Sequence, residues 1–98
     1  MSTDRYRVIW RNAVIRRRAP EIIDALIERG EAAKPVYQAM ARIFVALATD
    51  PDEQGESRAD GERVFFDEPV SVTYEVHEDE KVVFILTMTY YKPKSERE

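Results

Sequence analysis

The sequence predicts a small α+β domain: an N-terminal strand, two helices and then a three-stranded antiparallel meander, with the helices packed on one face of the sheet. Two patterns support this. Residues 12–49 carry apolar side chains at helical spacing, and residues 63–91 carry strand patterns separated by short turns. With 98 residues, 44% of them hydrophobic, the chain can build one core. We therefore predict a single domain over residues 1–98.

The first elements are a strand and a helix. Residues 6–10 combine β-branched and aromatic side chains and predict a short strand. From residue 12 to residue 29, apolar residues recur every three or four positions, which predicts a helix with one buried face. Pro20 either begins this helix or kinks it, because proline lacks the backbone donor and crowds the preceding turn. Gly30 is expected to end the helix.

A second helix is expected to begin at Pro35, and its apolar residues recur at steps of four, three and four. Residues 49–51 end the helix. Residues 52–61 are almost entirely polar or glycine, so we predict a surface loop there. The apolar stripe of this second helix consists of Val36, Met40, Ile43 and Leu47.

The C-terminal part predicts the meander. Residues 63–67 form its first strand, which Glu68-Pro69 ends. Residues 70–77 alternate apolar and polar side chains and predict a half-buried strand, followed by a turn at 78–80. The apolar run over 82–91 predicts a strand buried on both faces at the centre of the sheet.

Composition excludes several kinds of site. The chain has no cysteine and only one histidine, so it offers neither a disulfide framework nor an ordinary zinc site, and we expect no metal and no cofactor. The N-terminus lacks the apolar segment of a signal peptide, and no stretch is long enough to span a membrane. We expect a cytoplasmic protein. His77 lies at the end of a predicted strand, next to three acidic residues, and a solvated side chain explains it better than catalysis.

The two halves of the chain differ in charge. Residues 1–36 carry eight Lys/Arg against five Asp/Glu, whereas residues 37–98 carry seven against fourteen. An acidic protein is a poor candidate for binding nucleic acid unless its basic residues are clustered. The densest cluster is Arg16, Arg17 and Arg18, which predicts either a site for an acidic partner or phosphate, or a solvated helix face.

A second group of candidate residues lies at the two ends of the predicted meander. Arginine forks suit phosphate groups and a phenol ring suits stacking on a base. The alternative is structural: a tyrosine that closes the core and an arginine that pairs with a nearby carboxylate. The candidates are Arg58, Arg63, Tyr90, Tyr91, Lys92 and Lys94.

Several short segments, in this order of elements, resemble the RelE/ParE toxin superfamily of bacterial type II toxin-antitoxin systems. The similarity is greatest to the RelE-like or plasmid-stabilisation branch and extends over residues 6–91. The segments are Gly55-Glu56-Ser57-Arg58, Gly61-x-Arg63-Val64-Phe65-Phe66, Glu68-Pro69-Val70 and Tyr74-Glu75-Val76.

The resemblance implies a microbial-ribonuclease-like α+β fold and a partner, the cognate antitoxin. It implies one of two activities. RelE-like members cut messenger RNA on the ribosome, and ParE-like members inhibit DNA gyrase without chemistry of their own. We therefore expect a toxin that is either a divergent mRNA endoribonuclease or a ParE-like inhibitor. The alternative is a protein-interaction module that keeps the fold without activity.

The resemblance also implies site residues. Arg58 matches an arginine before the first meander strand, and Arg63 falls near a lysine of that strand. Phe65 stands where a second lysine is expected, and Ser71 where an arginine is expected. Together with the candidates singled out above, this gives a predicted catalytic set of Arg58, Arg63 and Tyr91, with Arg16, Arg17, Arg18, Lys92 and Lys94 binding RNA or a partner.

Overall fold

A computed structural model describes residues 5–91 of the chain. Within that range the predicted α+β class and the order of strand, helices and meander are confirmed. The elements are β1 (Arg7–Trp10), α1 (Ala13–Arg16), α2 (Arg18–Glu28), α3 (Lys34–Thr49), β2 (Glu56–Ser57), β3 (Glu62–Asp67), β4 (Val70–His77) and β5 (Val82–Tyr90).

The first predicted helix is divided into α1 and α2 at Arg17. Pro20 is the third residue of α2, where its missing N–H is not needed, so it neither begins the helix nor kinks it from within. A proline ring crowds the carbonyl four residues earlier, and here that residue is Arg16, the last residue of α1. Pro20 therefore explains why the helix is divided, although the division lies before it in sequence, at Arg17.

The strands form one sheet in the order β1-β5-β4-β3-β2. The predicted meander is confirmed, since β3, β4 and β5 pair antiparallel in sequence. Two features differ from the prediction. β1 joins the sheet parallel to β5, and residues 52–61 are not a plain loop but contain β2, the end of one short 3-10 turn and the whole of another. A two-residue strand has no periodicity that a sequence pattern could reveal.

The helices cover one face of the sheet, as predicted. We call this the helix face and the opposite side of the sheet the open face. The core lies between the helices and the helix face. Its buried residues are Tyr6 just before β1, Ile23 and Leu26 of α2, Val36, Ala39, Ile43 and Leu47 of α3, and Val70, Val72, Tyr74, Val83, Ile85 and Met88 of the sheet.

The strand predicted to be buried on both faces is so only in its first half. β5 is flanked by β1 up to the pair Trp10–Ile85, and beyond that point Thr87 and Thr89 are exposed. Leu86 is an extra residue of β5 in its pairing with β4, so it forms a β-bulge. Because of this bulge, Ile85 before it and Met88 after it both point to the helix face. None of the helices within residues 5–91 is long and apolar enough to cross a bilayer.

Candidate target-binding face

The centre of the open face is a grid of small hydroxyl side chains. Ser71 and Thr73 of β4 pair directly with Thr89 and Thr87 of β5. Because strand residues alternate between faces, these four side chains point away from the core residues beside them. The helices of residues 5–91 pack on the opposite side. Thr87 and Thr89 are exposed and Thr73 is half-buried, whereas Ser71 is buried, so the grid is a weakly polar surface that is accessible at its threonines.

Two aromatic side chains flank this grid at one end. Phe66 is 54% exposed and Tyr91 is 42% exposed. The hydroxyls of Tyr91 and Ser71 are 2.9 Å apart, and the Tyr91 N–H donates to the Pro69 carbonyl at 2.7 Å, so the ring is held in place. Phe66 and Tyr91, with Glu68 and Val70, line a pocket of about 340 Å³.

The other end of the open face is acidic. Glu62 of β3 and Glu75 of β4 are direct cross-strand neighbours, an arrangement in which like charges repel. Arg63 is the only lysine or arginine in β3, β4 and β5, and it pairs with the core residue Tyr74 on the helix face. These three strands therefore present no basic side chain on the open face.

Arg58 lies at the β2 edge of the open face. Its backbone N–H donates to the Glu62 carbonyl, which continues the pairing of β2 with β3. Its guanidinium contacts the Glu56 carboxylate at 3.1 Å, with 47% of the arginine side chain exposed. The guanidinium thus retains open positions for a further acidic group.

Arg63 and Tyr74 together hold the chain that precedes β2. The Arg63 guanidinium donates to the carbonyls of Gln54 at 3.0 Å and Gly55 at 3.3 Å. The buried Tyr74 hydroxyl lies 2.9 Å from the Pro51 carbonyl and 2.6 Å from the Gln54 carbonyl. We call this group the loop clamp. Burial raises the pKa of Tyr74, while the charge of Arg63 acts in the opposite direction.

The three residues predicted as catalytic are not brought together. Arg58 and Tyr91 share the open face but lie at opposite ends of it. Arg58 lies beside Glu62 and Tyr91 beside Phe66, and these two residues of β3 are about 13 Å apart along the strand at 3.3 Å per residue. Arg63 faces the other way. Lys92 and Lys94, predicted to bind RNA or a partner, lie outside the described residues.

The predicted basic cluster lies at the junction of α1 and α2. Arg16, Arg17 and Arg18 are all exposed. Arg18 donates to the Met88 carbonyl at 3.4 Å, which ties the junction to β5. The cluster is therefore near the β1 side of the sheet and far from Arg58 at the β2 edge.

Asp52 and Glu78 form a carboxyl pair beside the loop clamp. Burial, followed by a hydrogen bond with Glu78 and its charge, raises the pKa of Asp52. Glu78 also accepts a hydrogen bond from the Tyr6 hydroxyl at 3.1 Å. No three His, Asp or Glu side chains within residues 5–91 are grouped so that they could hold a metal ion.

We expect Asp52→Asn to stabilise the protein at neutral pH by less than about 1 kcal/mol, a small value because the site is exposed. A carboxyl whose folded pKa is raised stabilises the fold below its ordinary pKa of 3.8, and that contribution is lost as pH rises through the raised value. The stability gained by Asp52→Asn should therefore vanish near pH 3. Urea unfolding at several pH values measures it, with Glu53→Gln as a control for charge removal. A gain that grows towards low pH would contradict the assignment.

Sequence patterns alone missed three features of this face. The sequence does not mark Phe66 as a site residue, because an exposed aromatic in a strand looks like a core residue. The contact between Ser71 and Tyr91 depends on residues 20 apart in sequence. Alternation placed Tyr74 in the core, but nothing in the sequence indicates that its hydroxyl reaches Pro51.

Comparisons with known proteins support the fold. No family model matches the chain, and no curated protein matches it by sequence. Among solved structures, a chain of the toxin-antitoxin complex RelBE2 from Mycobacterium tuberculosis has a TM-score of 0.66 at 16% identity, covering 88% of this chain and 91% of that one. A chain of the chromosomal ParDE toxin-antitoxin system from P. aeruginosa has a TM-score of 0.65 at 20% identity, covering 91% and 99%. The chain therefore has the fold of the RelE/ParE toxin superfamily.

Proposed function

We propose that the protein is the toxin of a type II toxin-antitoxin system, that a cognate antitoxin binds it, and that it acts on a protein target without cutting RNA. The observation that carries the proposal is the fold similarity, over nearly the whole of both chains, to chains from two toxin-antitoxin complexes. Fold alone does not separate the two activities that the resemblance implies, so the choice between them depends on the open face.

The charge of the open face favours a protein target. Binding RNA requires basic side chains that contact phosphate, and cleavage requires donors that stabilise the charge developing on the phosphate. β3, β4 and β5 offer hydroxyls, aromatic rings and the Glu62–Glu75 pair on this face instead. The net charge of −4 adds to the repulsion. Exposed aromatics beside small polar groups are typical of protein interfaces.

In this proposal the predicted residues take separate roles. Phe66 inserts into a pocket of the target and Tyr91 packs beside it, since aromatic anchors supply much of the energy of protein interfaces. Arg58 contacts an acidic group at the opposite end of the face. Arg63 acts only by holding residues 54–55, through the loop clamp.

Induced expression in a bacterial host tests the function. We expect growth arrest, relief of that arrest by a small protein encoded immediately upstream, and unchanged 5′ ends of cellular messenger RNA. New RNA ends would overturn the protein-target assignment and favour the endoribonuclease. Absence of arrest from folded protein would overturn the toxin assignment and favour an interaction module without toxicity.

A single substitution tests the face. Phe66→Ser should raise the protein level needed for the same arrest by roughly tenfold, the effect of losing an anchor worth about 1.4 kcal/mol. Val45→Ser is the matched control, because Val45 is 64% exposed on α3, on the other side of the sheet. Equal effects of the two substitutions would remove Phe66 from the interface.

A further inference from the structure

The pocket lined by Phe66 and Tyr91 is built around one buried residue, Ser71. Phe66 of β3 is the direct cross-strand neighbour of Ser71 in β4. The Ser71 hydroxyl lies 2.9 Å from the hydroxyl of Tyr91, whose N–H donates to the Pro69 carbonyl. Strand pairing therefore places Phe66, and two hydrogen bonds hold Tyr91, although both side chains are exposed. The site is largely formed before a ligand arrives, which lowers the entropy cost of binding.

One acidic side chain joins the two rings. Glu68, in the turn between β3 and β4, is exposed and lines the same pocket of about 340 Å³. No lysine or arginine of residues 5–91 lines it. Glu68 has an interaction of its own within the protein, but an ionised carboxylate accepts at about four positions and can bind a further donor. The pocket therefore combines aromatic faces with a negative charge.

A basic side chain reaches this end of β3 from the helix face. Arg42 of α3 donates to both carboxylate oxygens of Asp67, at 2.8 and 2.7 Å. Asp67 precedes Glu68 in sequence and pairs with the core residue Val70. A two-point contact of this kind matches the forked shape of a guanidinium. Arg42 is thus committed to Asp67 and does not line the pocket on the open side of the turn.

We propose that this pocket receives the side chain of an arginine of the protein target, an inference that rests on the proposed function. The flat guanidinium lies against the rings of Phe66 and Tyr91, and its N–H groups donate to Glu68. Arginine both stacks on aromatic rings and binds carboxylates, so it uses both properties of the pocket. It is also enriched at protein interfaces. Phe66 enters the target, and the arginine of the target fills the space beside that ring in return.

Other occupants suit the pocket less well. An aliphatic side chain would cover the rings but would take water from Glu68 without offering a donor, which costs free energy. A phosphate of RNA would meet the charge of Glu68, and the Glu62–Glu75 pair farther along the face adds to the repulsion. A lysine ammonium brings charge but lacks the flat surface that stacks on a ring. Charge and shape together therefore select arginine.

The probe is N-acetyl-arginine amide, titrated into the whole protein and followed by NMR at the ring signals of Phe66 and Tyr91. Its matched control is N-acetyl-citrulline amide, in which an uncharged urea group of similar shape replaces the guanidinium. We expect saturable binding of the arginine compound in the millimolar range and about tenfold weaker binding of the citrulline compound. Equal affinities, or no saturable binding of the arginine compound, would overturn the proposal. Tighter binding of adenosine monophosphate at the same signals would replace the arginine by an RNA base.

Two variants test the parts of the pocket separately. Glu68→Gln should weaken binding of the arginine compound about threefold, as expected for an exposed ion pair. Phe66→Leu keeps an apolar side chain but removes the ring, and it should also weaken binding about threefold. Glu28→Gln, at the end of α2 on the other side of the sheet, is the control and should bind as the original protein does. If Glu68→Gln and Glu28→Gln bind equally well, the carboxylate does not take part and the proposal is wrong.

Growth arrest separates this inference from the proposed function. Arrest by a protein that does not bind the arginine compound would overturn the inference and leave the toxin assignment standing. Binding without arrest would overturn the toxin assignment and leave the preference of the pocket for arginine standing. If both hold, Glu68→Gln should raise the protein level needed for arrest about threefold, and Glu28→Gln should not change it. An equal requirement for the two variants would show that the target does not use the pocket.

Discussion

Gly55→Ala is expected to destabilise the protein by about 3 kcal/mol or more, the largest effect we expect from a single methyl group. Gly55 has φ +68°, a conformation that costs every residue with a Cβ about 1–2 kcal/mol. In addition, a Cβ at this position would collide with the Val64 carbonyl group, which belongs to β3 and cannot move freely. The strain and the collision add, because relief of either requires β2 to leave the sheet.

Gly61→Ala is the matched control for that variant. Gly61 has φ +76° in the same stretch of chain, but, its two chain neighbours apart, no atom of residues 5–91 lies within 4 Å of the position that its Cβ would take. Its cost should therefore be about 1 kcal/mol, from conformation alone. Urea unfolding monitored by circular dichroism measures both. If the two variants were equally stable, the close approach of residue 55 to β3 would be wrong.

Tyr74→Phe is expected to cost about 1–2 kcal/mol, because it removes one hydroxyl from the loop clamp and keeps the ring in the core. The hydroxyl is the buried partner of the Pro51 and Gln54 carbonyls. Without it those carbonyls lose a donor in a place that water reaches poorly. Arg63 still donates to Gln54, so residues 51–55 should loosen without losing the fold.

Two measurements distinguish this local effect from a general loss of packing. Urea unfolding gives the free energy, and limited proteolysis should show faster cleavage within residues 51–61 while β4 and β5 stay protected. Tyr37→Phe is the control, since the Tyr37 side chain is 59% exposed, and it should change the stability by less than about 0.5 kcal/mol. Cleavage at unchanged rate would show that the hydroxyl does not hold this segment.

The elements that were predictable are those whose pattern is long. α3 carries its buried stripe over four turns, and Val70 to His77 alternate over a whole strand, so periodicity sufficed for both. β2 is two residues long, and α1 is a single turn. Neither is long enough for its period to repeat, and their form depends on contacts with β3 and on the crowding by Pro20. Short elements of this kind follow from tertiary structure.

The candidate site was less predictable than the fold, for a geometric reason. Arg58, Arg63 and Tyr91 all flank the meander in sequence, but the face on which a strand residue lies depends on its register. Arg63 pairs with Tyr74 and so belongs to the helix face, whereas Arg58 lies beside Glu62 on the open face. A difference of one residue in register exchanges the two faces. The sequence motif therefore identified the part of the chain that holds the site, whereas only the strand pairing identified the face of the sheet on which each residue lies.

The parallel pairing of β1 with β5 has a consequence for synthesis. Arg7 pairs with Val82, so the first strand finds its place only when the last strand exists. Contacts between such distant parts of a chain form late, because a long loop must close before they contribute. A nascent chain that lacks β5 has no partner for β1 and only one of the two partners of β4. Translation through β5 thus precedes the complete sheet, and chains interrupted before β5 lack part of its open face.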